Sequence, residues 1–286
     1  MKETTFLFGP GSGLVGTLTH SQGAGATQRG TAVILFNAGL VPRIGPNRLN
    51  VRLARALAQV GFTVLRFDLS GRGDSAPARG MESFEQQAIA DLRAALDAVA
   101  QRCGAQHFLI MGICSGAENA YHAALIDERI IGISLMDPYH YPTLRTHVIR
   151  YLHRARERGG WLKASLGWLR LRALMLLGHK PQANWAEPDF GSIRPKAADY
   201  AAKLQRLLDR GVAIDILYSG TFLETYNYAE QFSDVFGRYG LLKKLRCEFR
   251  PEIDHTISSP AMQNEVIART RDWFVQVQRQ SQPQSG

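Results

Sequence analysis

The stretch His107–Ala117, with the sequence HFLIMGICSGA, decides the fold. Its first five residues form the short apolar run that is typical of a buried strand, and Ala117–Leu125 has the pattern of a helix. The residues between them must turn sharply, and such a turn strains the backbone of its central residue. Small residues two positions before and two positions after that residue relieve the crowding.

Two residues, Cys114 and Ser115, compete for the centre of this turn. Centring on Cys114 places Gly112 and Gly116 at the crowded positions, whereas centring on Ser115 would place side chains there. Cys114 is therefore the candidate nucleophile, and the backbone amide of Ser115 is a candidate donor to an oxyanion. Cysteine is also often a buried apolar residue, so the rest of the chain has to support this interpretation.

Composition limits the class of protein. A chain of 286 residues, 45% of them hydrophobic, predicts one large α/β domain with room for an insertion. Its three cysteines show no paired spacing, which favours a reducing compartment and predicts a cytoplasmic protein. No apolar run has the length of a signal peptide core or a membrane span, so we expect no transmembrane segment.

The formal charge of +9 is concentrated in one segment. Residues 143–180 hold nine lysines and arginines against one acidic residue, Glu157, so the remainder of the chain is nearly neutral. A general affinity for polyanions would need charge spread over a larger surface. We therefore expect no nucleic-acid partner.

Strand and helix patterns alternate along most of the chain. An antiparallel hairpin is predicted over Thr4–Phe8 and Leu14–His20. The alternation predicts a doubly wound, mostly parallel sheet with functional residues at the carboxyl ends of its strands. The other predicted strands are Thr31–Phe36, Thr63–Phe67, Ile130–Met136, Ala213–Tyr218 and Leu245–Phe249; the helices are Arg48–Val60, Glu82–Arg102, Lys196–Asp209, Tyr228–Tyr239 and Ala261–Gln278.

The alternation stops over residues 138–195, where His147–Arg158 and Trp161–Leu177 have the pattern of two helices. We interpret this segment as a helical lid inserted between two parts of a core, residues 1–137 and 196–279, with a disordered tail at 280–286. Trp161 and Trp168 are candidate substrate-binding residues on its apolar surface. Its arginines suit the phosphates of coenzyme A or an acyl-carrier protein, although a solvated basic face or docking to a membrane surface would use the same residues.

Four features, in this order, make the chain resemble the α/β-hydrolase superfamily over nearly its whole length. They are the turn Asn37-Ala38-Gly39, the segment Asp68–Ser75 (DLSGRGDS), the Cys114 elbow and His255 before the last helix. The cysteine elbow is similar to that of dienelactone hydrolases and polyhydroxyalkanoate synthases. The Asn-Ala-Gly turn resembles that of small hydrolases encoded with exosortase systems.

The resemblance implies which residues assist Cys114. Of eight histidines, His255 follows the final strand and precedes the last helix, which is the place of the general base. The acid that orients it usually follows the strand corresponding to Ala213–Tyr218. Glu224 is the first carboxylate there and is the favoured candidate, and Asp137 at the end of the preceding strand is the alternative.

The loop after Thr31–Phe36 is expected to supply the second oxyanion amide. By position this is the amide of Gly39, with Leu40 as a near alternative. The superfamily usually has His-Gly at this turn, whereas this chain has Asn37-Ala38. Arg43, a little further along, is a candidate for binding an anionic substrate group, or else a surface carboxylate.

Three functional hypotheses follow. The favoured one is a hydrolase of esters or thioesters, in which the Cys114 thiolate forms a covalent acyl-enzyme with a small-molecule acyl substrate. An acyltransferase would use the same residues with a different acceptor, and a binding protein would keep the fold without the chemistry. The sequence predicts no metal and no cofactor, since it contains neither HExxH nor a complete dinucleotide fingerprint.

Overall fold

The computed structural model describes residues 1–22, 30–78, 80, 83–157 and 194–281. Within these ranges eight strands form one sheet in the order β1-β2-β4-β3-β5-β6-β7-β8. The pairs β1–β2 and β2–β4 are antiparallel and the other neighbours are parallel. The strands are β1 (Glu3–Phe8), β2 (Leu14–Thr19), β3 (Thr31–Leu35), β4 (Thr63–Phe67), β5 (His107–Ile113), β6 (Ile130–Met136), β7 (Ala213–Ser219) and β8 (Arg246–Arg250).

Helices lie on both faces of the sheet, as the alternating pattern predicted. Leu53 of α1 and Phe274 of α7 belong to the core on one face, and Leu92 of α2 and Tyr121 of α3 belong to the core on the other. The described helices are α1 (Leu49–Gln59), α2 (Phe84–Cys103), α3 (Ser115–Ile126), α4 (Leu144–Glu157), α5 (Ala197–Asp209), α6 (Gln231–Phe236) and α7 (Pro260–Ser281). The predicted α/β-hydrolase fold with an N-terminal antiparallel pair is confirmed.

Local signals set the bounds of the helices. The Ser83 side chain accepts a hydrogen bond from the Gln86 amide, and the Gln86 side chain accepts one from the Ser83 amide. This reciprocal pair begins α2 at Phe84, two residues later than predicted. The helix ends at Cys103 and is capped by Gly104, whose φ of 69° favours glycine. At the other end of the chain α7 continues to Ser281, so the tail does not begin at residue 280 as predicted.

Part of the predicted lid can be located. Helix α4 covers the first of its two expected helices. The second, with Trp161 and Trp168, lies outside the described residues, so the lid and the role of its tryptophans stay predictions. Over the described ranges, none of the helices has the length and apolarity needed to cross a membrane.

The sheet brings five loops to one edge. The parallel strands β3, β5, β6, β7 and β8 all end there. Ser219 is the last residue of β7, and the segments that follow the other four strands carry Gly39, Cys114, Asp137 and His255. Residues far apart in the sequence therefore meet at the carboxyl ends of neighbouring strands.

Candidate active site

Cys114 lies at the turn between β5 and α3, with φ 56° and ψ −127°. A positive φ is strained for a residue with a side chain. A Cβ atom on Gly112 would lie 2.1 Å from the Gly116 carbonyl oxygen, and one on Gly116 would lie 2.7 Å from the Asn37 carbonyl oxygen. The predicted need for glycine at both positions is confirmed, and Cys114 rather than Ser115 occupies the centre of the turn.

His255 contacts Asp137, the alternative that the sequence left open. The His255 Nδ1 atom lies 2.7 Å from Asp137 Oδ2. The backbone amide of His255 donates to Thr221 Oγ1 at 2.7 Å, which fixes the loop that carries the imidazole. The neighbouring Asp254 instead accepts hydrogen bonds from Thr256 and Ser258 within the same loop.

Asp137 is held in place from several sides. It follows β6 with a φ of 49° and is 5% exposed. The backbone amide of Ser219 donates to its Oδ1 atom and the Ser219 hydroxyl donates to its Oδ2 atom, each at 2.7 Å. These bonds fix the direction of the carboxylate towards His255.

Glu224, the favoured acid in the sequence, is not beside His255, and this prediction of its position is wrong. Its carboxylate lies 2.8 Å from Arg154 Nη2 and 3.5 Å from Arg150 Nε, both on α4. The Glu224 side chain is 56% exposed. The two arginines attract it away from the sheet edge, whereas Asp137 is buried at that edge.

The electrostatics of the site favour a protonated His255. Burial lowers the pKa of His255, but hydrogen bonds with Asp137 and Cys114, together with the negative charge of both groups, outweigh burial and raise it to about 9. The imidazolium then donates to Asp137 through Nδ1 and faces the sulfur of Cys114. A thiolate beside an imidazolium is the arrangement that makes a cysteine nucleophilic at neutral pH.

The loop after β3 places Gly39 against the start of α3. Gly39 has a φ of 56°, and its amide donates to the Ser115 hydroxyl oxygen at 3.1 Å. The buried Asn37 side chain ties this loop to the next one, because it accepts from the Leu69 amide at 2.6 Å and donates to Asp68 Oδ1 at 3.0 Å. Leu40, the near alternative for the oxyanion amide, has a side chain that is 75% exposed.

Arg43 does not reach into the cleft. Its guanidinium pairs with Asp68, which is fully buried, and lies 2.6 Å from Asp74. Its backbone amide also donates to Asp68, at 2.6 Å. Arg43 thus pairs with an exposed carboxylate, which is the alternative that the sequence left open, and it is not among the residues that line the cleft.

A cavity of about 910 Å³ opens in front of Cys114 and His255. It extends along α3, whose residues Glu118 and His122 line it, towards Tyr139 and Lys203. The His122 Nε2 atom lies 3.1 Å from the Tyr139 hydroxyl and 3.3 Å from Glu85. Over the described ranges, no three His, Cys, Asp or Glu side chains cluster as metal ligands would. Because Val41 and Ile113 also line it, the cavity offers both apolar and polar contacts beside the thiol.

Two residues that position the site have no recognisable signal in the sequence. Ser219 and Thr221, which hold Asp137 and His255, carry no signal in the sequence beyond their position at and just after the end of β7. Asp137 had a usable signal, because it directly follows a buried apolar strand. Its positive φ, which directs the carboxylate, is visible only in the structure.

The model of one protein family, described as "Hydrolase_4: Serine aminopeptidase, S33", matches residues 32–221. That range contains Cys114 and Asp137 and ends before His255. No curated protein is significantly similar to the chain in sequence.

Solved structures share the fold over nearly the whole chain. An esterase from Pyrococcus furiosus has a TM-score of 0.60 at 12% identity, covering 96% of this chain and 91% of that one. An α/β serine hydrolase without a lid from Xanthomonas campestris has a TM-score of 0.55 at 16% identity, covering 100% and 96%. A proline iminopeptidase from Mycobacterium smegmatis has a TM-score of 0.53 at 14% identity, covering 98% and 100%. At such identities the similarity concerns the fold.

Proposed function

Because this chain belongs to the Hydrolase_4 family, described as serine aminopeptidase S33, we propose that it is a hydrolase that cleaves carboxylic esters or thioesters with Cys114 as nucleophile. One observation carries the proposal: the imidazole of His255, whose Nδ1 atom lies 2.7 Å from Asp137 Oδ2, lines the same cavity as the side chain of Cys114. The sulfur stands at the strained turn where a serine hydrolase holds its hydroxyl. Asp137, and not Glu224, is the acid in this proposal.

The first half-reaction forms the acyl-enzyme. The Cys114 thiolate attacks the carbonyl carbon, a sulfur–carbon bond forms, and the π electron pair moves to the carbonyl oxygen. When that pair returns, the bond to the leaving group breaks and His255 gives its proton to the departing alkoxide or thiolate. Asp137 keeps the imidazole in the orientation that this transfer requires.

The second half-reaction releases the acid. His255 is now neutral and takes a proton from a water molecule as that water attacks the thioester carbon. The tetrahedral intermediate then expels the Cys114 thiolate, and the carboxylic acid leaves. The proton that water lost stays on His255, which restores the starting ion pair.

The proposal is tested by the mass of the intact protein after brief exposure to p-nitrophenyl acetate and to an acetyl thioester. We expect an acetyl adduct on Cys114 in the wild type and none in Cys114→Ala, with a much slower adduct in His255→Ala. Cys103→Ala is the matched control, because Cys103 is a free, exposed thiol. Equal acylation of Cys114→Ala and the wild type would refute the proposal.

A carrier-bound substrate finds little support in the described residues. Arg150 and Arg154 of α4 already pair with Glu224, and Arg145 lies 3.3 Å from Glu230. A phosphate of coenzyme A or of a carrier protein would have to displace these carboxylates. We propose a small acyl compound as the substrate. The carrier stays a prediction, because six of the nine basic residues of segment 143–180 lie outside the side chains that the structure describes.

The proposed chemistry also bears on location. All three cysteines, Cys103, Cys114 and Cys247, are free thiols. A catalytic thiolate survives best where thiols are kept reduced. We therefore propose that the protein works in the cytoplasm.

A further inference from the structure

The hydroxyl of Ser115 occupies a position where the amide of Gly39 was expected to meet the substrate. The Gly39 amide donates to Ser115 Oγ at 3.1 Å, and both residues line the cavity in front of Cys114. Ser115 is the first residue of α3, so its own backbone amide has no partner within the helix. The Ser115 hydroxyl, the Ser115 amide and the Gly39 amide thus surround the expected place of an oxyanion. Of these, the Gly39 amide already donates to the hydroxyl.

The hydrogen-bonding capacity of this hydroxyl is only partly used. A serine hydroxyl can accept two hydrogen bonds and donate one. Ser115 Oγ accepts one bond, from Gly39, and no described residue accepts the hydroxyl proton. That proton is free to point into the cavity.

The direction of the Gly39 amide decides which group meets the substrate. A backbone N–H makes one well-aligned hydrogen bond, and hydrogen bonds weaken steeply when they bend. While Gly39 donates to Ser115 Oγ, a substrate oxygen cannot take the same linear bond. The donor that Gly39 presents to the cavity is therefore the hydroxyl that it polarises.

We propose that two hydrogen bonds in series form a relay to the oxyanion: the Gly39 amide donates a hydrogen bond to Ser115 Oγ, and the Ser115 hydroxyl donates a hydrogen bond to the substrate oxygen. This inference rests on the proposed Cys114 chemistry. As the thiolate attacks, the π electron pair moves to the carbonyl oxygen, and that oxygen accepts from the Ser115 hydroxyl and the Ser115 amide. No proton is transferred in the relay, and both bonds weaken again when the pair returns.

Two features suit Ser115 to this task. Each hydrogen bond in a chain polarises the next, so the amide of Gly39 makes the hydroxyl a stronger donor. The loop that carries Gly39 is fixed by the side chain of Asn37, which binds Leu69 and Asp68. A donor that is held in place before the reaction costs little reorganisation when charge develops on the substrate.

The test compares acylation with alkylation of the same thiol. Acylation is followed by the burst of p-nitrophenolate from p-nitrophenyl acetate in stopped flow. Alkylation by iodoacetamide proceeds without an oxyanion, so it reports only on the nucleophilicity of Cys114. For Ser115→Ala we expect acylation about 10²-fold slower and alkylation at the wild-type rate, because one oxyanion donor contributes about that factor. Ser115→Thr retains a hydroxyl and should restore most of the acylation rate.

Three outcomes count against the relay or its premise. Wild-type or faster acylation of Ser115→Ala would show that the hydroxyl is a spectator or an obstacle, which overturns the relay. An equal loss of acylation and alkylation would assign Ser115 to the thiol instead, and overturns it as well. A wild-type protein that is alkylated but never acylated would refute the proposed hydrolase, and the relay with it.

Discussion

At the scale of single residues, the proposed chemistry depends on the proton of His255. Burial alone would remove that proton, since a buried imidazolium loses its hydration. The carboxylate of Asp137 and the sulfur of Cys114 reverse this effect and raise the pKa of His255 to about 9. The general acid needed for the first half-reaction is thus already charged at neutral pH.

Replacing Asp137 tests this dependence. In Asp137→Asn the hydrogen bond to a carboxylate is lost while burial remains, so the pKa of His255 should fall well below about 9. We expect acylation to slow by about two to four orders of magnitude, because both the charge and the orientation of the imidazole suffer. NMR titration of the imidazole and the stopped-flow burst measure the two effects. Glu224→Gln is the matched control and should behave as the wild type; a large loss there with none in Asp137→Asn would contradict this assignment.

Stability should also depend on His255 and on pH. The pKa of His255 is about 9 in the folded protein, above the ordinary value of 6.5. Its contribution is therefore fully present below pH 6.5 and is lost as the pH rises through about 9. The difference between these two pKa values corresponds to about 3 kcal/mol in the free energy of unfolding.

The measurement is urea unfolding of wild type and His255→Gln at several pH values. The stability difference between the two proteins should shrink between about pH 6.5 and pH 9. A difference that is constant over this interval would contradict the raised pKa. Cys114→Ala in the same series should show a smaller change, since one of the groups that raise the pKa of His255 is then gone.

Sequence reasoning located Cys114 and His255 for different reasons. The glycines on either side of Cys114 meet a local steric requirement, so the turn can be recognised from adjacent residues in the sequence. His255 was found from the order of motifs along the chain. The choice between Asp137 and Glu224 depended on side-chain direction: a positive φ in one case and attraction to Arg154 in the other. Neither the backbone angle nor this contact can be predicted from residues adjacent in the sequence.

At the scale of elements, the turn between β5 and α3 packs against the loop after β3. In Gly112→Ala the new Cβ atom would meet backbone atoms 2.1 Å away, so strand and helix would have to separate. We expect the free energy of unfolding to fall by about 1–3 kcal/mol and the rate of acylation to fall sharply. Chemical denaturation and the stopped-flow burst measure these losses.

Gly13→Ala provides the matched control for this prediction. Its new Cβ atom would find its nearest neighbour at 3.4 Å, and the backbone has no positive φ. Both variants restrict the unfolded chain equally, so their difference isolates the native clash. Equal stability of the two variants would contradict the steric interpretation of the elbow.

Most elements could be predicted because burial leaves a periodic pattern. Strands such as β3 and β6, buried along most of their length, appear as continuous apolar runs. Helix α2 was placed too early because its beginning depends on a capping pair, Ser83 and Gln86, rather than on periodicity. Contacts among loops, such as that of Arg43 with Asp68, follow from the pairing of β3 with β4 and leave no periodic signal.

At the scale of the whole molecule, a buried ion pair joins the last helix to the sheet. Arg269 of α7 binds Asp215 of β7 through two nitrogens, at 2.5 and 2.6 Å, and Asp215 is fully buried. In Arg269→Met the Asp215 carboxylate would still accept the hydrogen bond from the Ser134 hydroxyl, at 3.0 Å, but it would lose its main charge partner. We expect a loss of about 3–5 kcal/mol in the free energy of unfolding, measured by urea denaturation.

Arg271, on the same helix, supplies the comparison. It pairs with Asp272 on the surface, where both side chains are more than a third exposed. Arg271→Met should change the free energy of unfolding by about 0.5 kcal/mol or less. If the two substitutions had similar effects, the ion pair of α7 with β7 would not be a determinant of stability.

The separation of His255 from its partners has a consequence during synthesis. Asp137 precedes His255 by 118 residues, so a ribosome adding about 5–20 residues per second makes the carboxylate on the order of ten seconds before the imidazole. Cys114 emerges earlier still. A nascent chain therefore presents its thiol without the imidazole, and the proposed Cys114 chemistry can begin only after translation has delivered the C-terminal segment that carries His255.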